Sequence, residues 1–111
     1  MSDTWDWAHQ RGETEATIAM LRDEAAMIDG AIITLDLEFV AVFDDADRAA
    51  FEKALKTFGY QITSDAEDDS VEVAVPNLPF TLESIWQHEE RTTKLALARG
   101  FEPDGWGFFE P

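Results

Sequence analysis

A chain of 111 residues of which 45% are apolar has the material for one core and one domain, 1–111, and is not the composition of a disordered segment. Its 24 Asp and Glu against eight Lys and Arg give a formal charge of −16, which repels phosphate; nucleic-acid binders gain most of their affinity by neutralising phosphates, so direct binding of RNA or DNA is not expected. The absence of cysteine excludes disulfides, thiolate metal sites and cysteine catalysis.

The N-terminal MSDTWDWAHQ has no basic stretch followed by an apolar one, and no apolar run reaches the ~20 residues that cross a bilayer, so a cytoplasmic protein without a membrane partner is expected. From Thr14 to about Asp29, Ile18, Leu21, Ala25 and Ile28 recur at helical spacing, and Gly30 is placed to close that helix. Ala31 to Phe43 alternates instead. Ile33, Leu35, Leu37, Phe39, Ala41 and Phe43 share one face, while Ile32, Thr34, Asp36, Glu38, Val40 and Val42 share the other, which predicts a strand buried on one side. Asp44 or Asp45 is expected to cap a helix running to Phe58, with Phe51, Ala54, Leu55 and Phe58 inward and Gly59 ending it.

Tyr60 to Ser64 and Ser70 to Val75 predict a hairpin whose tip carries Asp65, Glu67, Asp68 and Asp69. Pro76 and Pro79 are expected to break the chain, since neither belongs inside a central strand. Thr81 predicts the cap of a third helix that runs to Arg99, with Leu82, Ile85, Trp86 and Ala96 inward; Gly100 closes it and Phe101 to about Trp106 forms a last strand. All eight basic residues fall in or beside the predicted helices.

After the first helix the order is β-α-β-β-α-β. That series predicts an α+β class, a ferredoxin-like sandwich with an antiparallel sheet, helices on one face and an extra N-terminal helix. The other sheet face is then left open. Alternation assigns to it Thr34, Asp36, Glu38, Gln61, Thr63 and Glu72, together with Glu102, Asp104 and Trp106 from the last strand. RNA-recognition modules of similar topology carry basic and stacking residues on that face. A carboxylate surface instead fits a cationic polypeptide, with Trp106 as an aromatic anchor.

No catalytic constellation emerges. Read as a calcium loop, the run from Asp65 places Ser70 where Gly is required and Pro76 where Glu is required, so an acidic hairpin tip is expected rather than a metal site. His9 and His88 have no spacing partners and are expected at the surface. Phosphate-loop, nucleophile-elbow and dinucleotide signatures are missing, and no cofactor is expected. Glu89 falls in the middle of the apolar stripe of the third helix. Either it meets a partner, or Thr92 and Thr93 keep that face wet at mid-helix, which is the preferred reading. Trp5 and Trp7 are expected to seat the N-terminal segment on the core.

The run Gly100-Phe101-Glu102-Pro103-Asp104-Gly105-Trp106-Gly107-Phe108-Phe109-Glu110-Pro111 resembles the end of the regulator of ribonuclease activity B family, in which a strand leads into an Asp-Gly-Trp-Gly segment and an aromatic, acidic stretch. The order of elements over nearly the whole chain is similar to that family as well. The resemblance implies a non-enzymatic ferredoxin-like domain that binds the endoribonuclease ribonuclease E on its basic, non-catalytic part and lowers RNA cleavage. The expected protein-binding residues are Asp104, Gly105, Trp106 and Gly107, with Asp36, Glu38, Glu72 and Glu102 supplying charge, in a monomer or homodimer. The alternatives are a small homodimeric or ligand-binding domain with no nuclease partner, and an acidic mimic of nucleic acid that blocks the nuclease site directly.

Overall fold

The computed structural model describes residues 5–24, 28, 30–42, 45–65 and 69–109. The elements in chain order are α1 (Trp7–Glu24), β1 (Ile32–Ala41), α2 (Arg48–Thr57), β2 (Gln61–Ile62), β3 (Ser70–Pro79), α3 (Leu82–Leu97) and β4 (Phe101–Phe109). The four strands form one antiparallel sheet in the order β2-β3-β1-β4. This is the split βαβ arrangement: α2 carries the chain from β1 past the place that β3 fills, and α3 returns it to the far side of β1. The fold is therefore the expected α+β sandwich with an added N-terminal helix.

Period-two alternation makes β1 the spine of the core. Ile33, Leu35, Leu37 and Phe39 are buried, and between them Thr34, Asp36, Glu38 and Val40 stay half-exposed. The buried side meets Val71, Val73 and Val75 of β3, Ile85 and Ala96 of α3, and Phe51 and Leu55 of α2. Phe51 stands edge-on to Phe39 at 5.3 Å and tilted against Phe101 at 5.0 Å, so one ring ties α2 to β1 and β4. Phe43, assigned to the inner face of β1, lies outside the described residues, and Ala41 is exposed at the strand end.

Several boundaries differ from expectation, each for a local reason. Helix α1 starts at Trp7 rather than Thr14, and its buried residues are Gln10, Thr14 and Ile18. A helix held by two polar side chains and one apolar one carries almost no apolar stripe, so its first two turns leave little periodic signal. Ile28, expected on its inner face, lies beyond the helix and is 75% exposed. Ala25 and Asp29 are outside the described residues. Gly30 does not close the helix: its N–H donates to the Phe80 carbonyl at 3.0 Å and leads the chain into β1.

Helix α2 is capped by Asp47, not by Asp44 or Asp45. The Asp47 carboxylate accepts from the Ala50 N–H at 3.0 Å. Asp44 lies outside the described residues. Phe58, expected inward, is 54% exposed and lies under the Arg91 guanidinium at 5.4 Å. Thr81 does cap α3, accepting from the Ser84 N–H at 3.1 Å.

The prolines of β3 do not break it. Ile33 pairs with Leu78 and Leu35 with Val75, so Pro76 and Asn77 together stand opposite Thr34 in a bulge, with Asn77 at φ 58°. Strand β2 pairs with Val73 and Ala74, so beyond Ala74 the outer side of β3 has no neighbouring strand among the described residues, and the missing Pro76 N–H breaks no ladder bond there. Of the acidic hairpin tip, 66–68 lie outside the described residues. Its base is clamped by Arg48, whose guanidinium donates to the carbonyls of Asp65 at 2.8 Å and Ser70 at 3.3 Å.

Candidate functional site

The helices leave one sheet face uncovered, and it is acidic. Glu38 of β1 stands directly opposite Glu72 of β3, and Asp36 lies two residues along on the same face beside Ala74. Gln61 pairs with Ala74, and the Thr63 N–H donates to the Glu72 carbonyl at 2.9 Å, so β2 adds only uncharged polar groups there. Glu102 sits opposite Val40 at the other end of the face. Among the described residues every Lys and Arg belongs to a helix or to the turn at Arg99, so none shares this surface. Burial by the neighbouring strands, with the Glu38 charge as a second cause, raises the Asp36 carboxyl above its ordinary value.

The Asp-Gly-Trp-Gly segment is placed by a bulge. Phe39 pairs with Pro103 but Glu38 pairs with Gly105, which leaves Asp104 as the extra residue and Gly105 at φ +126°, a conformation that suits glycine. Past the bulge the alternation changes phase. Gly105 and Gly107 face the open side against Glu38 and Asp36, and Trp106 pairs with Leu37 on the helix side. Trp106 is thus not on the open face, contrary to the simple alternation of Glu102, Asp104 and Trp106, and it packs against the core. With no side chain at Gly105 or Gly107, a shallow depression of about 230 Å³ opens beside Asp36, Glu38 and Glu72.

On the helix side, α1, α3, β1 and β4 enclose a deeper cleft of about 640 Å³. Glu89, 5% exposed, projects from α3 into it. The preferred sequence reading, a wet mid-helix face, does not hold: Thr92 and Thr93 are themselves buried, and partners for Glu89 come from α1. The Thr14 hydroxyl donates to Glu89 Oε1 at 2.6 Å, and Gln10 Nε2 donates to Glu89 Oε2 at 2.9 Å and to Thr93 Oγ1 at 3.1 Å. The Trp5 indole N–H donates in turn to Gln10 Oε1 at 2.8 Å. The sequence does not show these partners, because Gln10 precedes the predicted helix and Thr14, at its start, is a polar residue outside the apolar stripe. Trp7 completes the seat, edge-on to Trp86 at 6.2 Å with Lys94 Nζ 5.8 Å above its ring, as expected of an anchoring tryptophan.

Burial pushes the Glu89 carboxyl up, and the hydrogen bonds from Thr14 and Gln10 only partly offset it. A carboxyl raised in the folded state holds its proton there more tightly than in the unfolded chain. Its contribution to stability is full below its ordinary value of 4.5 and is lost as pH rises through the raised folded value. Glu89→Gln keeps the shape and can keep both contacts if the Thr14 hydroxyl turns to accept. The expected result is a flatter dependence of denaturant midpoint on pH above about 4.5 than in the parent chain.

Of the two histidines, His9 is at the surface as expected, 2.9 Å from Glu13. His88 is not. It is half-buried, shares a 2.9 Å hydrogen bond with the Tyr60 hydroxyl and meets that ring edge-on at 5.7 Å. Burial, and then the Arg91 charge, lower its pKa. Among the described residues no three His, Asp or Glu side chains converge to hold a metal ion, and no helix is long and apolar enough to cross a membrane.

The family model described as regulator of ribonuclease activity B matches residues 12–108. The match takes in the acidic face, the bulged segment through Gly107 and most of α1. No curated protein matches the chain.

Proposed function

We propose that this chain, which belongs to the regulator of ribonuclease activity B family, modulates an endoribonuclease of the ribonuclease E type by laying its acidic sheet face on a basic, non-catalytic segment of the nuclease. The observation that carries this reading is Glu38 directly opposite Glu72, with Asp36 beside them and no cation on that face among the described residues. Like charges directly opposite across two strands destabilise a sheet, by roughly 0.2–1 kcal/mol per pair. A face that served only as a solvated surface gains nothing from that arrangement, whereas a cationic segment turns the repulsion into complementarity.

The chemistry of such docking needs no catalytic group. Basic segments of a nuclease attract RNA through its phosphates, and an acidic protein bound there neutralises the attraction and releases the RNA. RNA turnover falls because substrate is recruited less, with the nuclease active site untouched. A second copy of this chain is a poor occupant of the same face, since a symmetric contact sets Asp36, Glu38 and Glu72 against their own equivalents.

Titration of the full chain with a purified basic segment of the nuclease, at low and at near-physiological salt, tests the reading. Saturable binding is expected, weakened at least about tenfold between roughly 50 and 200 mM salt. Failure to bind at low salt rejects it.

A further inference from the structure

The helix-side cleft lies on the other side of the sheet from the acidic face, and at about 640 Å³ it falls within the roughly 300–1,000 Å³ of ligand pockets. Trp5 and Trp106 supply aromatic walls and Pro103 an apolar one, while the exposed carboxylates of Asp6, Glu13 and Asp104 ring the mouth. Among the described residues no Lys or Arg lines it, and His9 on its wall already lies 2.9 Å from Glu13. At the floor is Glu89, buried, with each oxygen accepting one hydrogen bond from a neutral donor and no cation paired with it among the described residues. Neutral donors satisfy part of its hydrogen-bonding capacity and none of its charge.

We propose that this cleft receives a guanidinium group, the side chain of an arginine carried by a polypeptide. A guanidinium is planar and weakly hydrated, stacks on indole faces, and brings N–H donors to the lone pairs that Thr14 and Gln10 leave free on Glu89. An ammonium matches the charge but not the planar fork. The site is built before the ligand arrives, because Trp5 is tied through Gln10 to Glu89 itself. The Asp104–Gly105 bulge borders both this cleft and the acidic depression on the other side of β4. A basic segment lying on the open face therefore reaches the cleft by crossing that edge strand, and in assigning the arginine to the same segment the inference rests on the docking reading above.

The test titrates the full chain with N-acetyl-arginine amide, N-acetyl-lysine amide and N-acetyl-citrulline amide, reading the indole N–H resonances of Trp5 and Trp106. The arginine compound is expected to bind in the millimolar range, with the other two at least fivefold weaker. Glu89→Gln, which preserves shape, and Trp106→Phe, which keeps an aromatic ring but loses the indole's larger face, are each expected to weaken it at least fivefold. Equal binding of arginine and citrulline compounds, or no effect of either variant, overturns the proposal. The basic nuclease segment is titrated in parallel. If it binds the parent chain and the Glu89→Gln, Trp106→Phe double variant equally, the cleft assignment fails and the open-face reading stands. If it binds neither while the arginine compound binds as stated, the open-face reading fails and the guanidinium site stands without its proposed carrier.

Discussion

A variant carrying Asp36→Asn, Glu38→Gln and Glu72→Gln is expected to bind the basic nuclease segment roughly 30- to 150-fold more weakly than the parent at low salt, a loss of about 2–3 kcal/mol. The three carboxylates occupy adjacent positions on β1 and β3 beside a depression kept open by Gly105 and Gly107. Folding should not suffer. Removing the Glu38–Glu72 confrontation relieves a repulsion, so the denaturant midpoint is expected to hold or rise slightly. Net charge alone is controlled by Glu15→Gln, Asp23→Asn and Glu24→Gln on exposed positions of α1, which remove the same charge from elsewhere. That control should weaken binding less than about threefold, since charges beyond a Debye length of ~8–10 Å are largely screened. Equal losses in the two variants would reduce the acidic face to a contribution from bulk charge.

Gly100→Ala is expected to cost about 2–4 kcal/mol of stability, measured by chemical denaturation. Gly100 has φ +85°, and a Cβ placed on it would lie 2.8 Å from the Ala46 Cα and 3.0 Å from its Cβ. Neither side can give way easily. The Val42 N–H donates to the Gly100 carbonyl and the Asp47 N–H to the Arg99 carbonyl, both at 2.9 Å, so the turn after α3 is stitched to the segment that launches α2. Asp47 is also the α2 cap, and displacement at Gly100 therefore reaches Phe51, the ring that joins α2 to β1 and β4. A loss below about 1 kcal/mol would show that this junction is soft.

The parts of the fold legible in the sequence are those fixed by neighbours along the chain. Alternation from Ile33 to Phe39 states both the buried face of β1 and the carboxylates opposite it, and Thr81 caps α3 through a bond three residues away. What the sequence hid depends on residues far apart. The partners of Glu89 lie 75 and 79 positions back, on a helix whose inner face is polar enough to escape the periodic pattern. Trp106 lies on the face opposite to the one simple alternation assigns, because the bulge at Asp104 and Gly105 shifts the phase. A glycine within a strand pattern is itself a bulge signal, so the phase change was readable at Gly105. The expectation that Pro76 and Pro79 break the chain holds only for a strand flanked along its whole length, and the brevity of β2 is a tertiary fact.

The docking claim is tested most directly by mapping the footprint of the basic nuclease segment on the isotope-labelled chain by amide chemical-shift perturbation. The expected footprint covers Thr34, Asp36 and Glu38 of β1, Glu72 and Ala74 of β3, and Gly105 and Gly107 of β4. A saturable footprint confined to the outer surfaces of α2 and α3 would contradict the account.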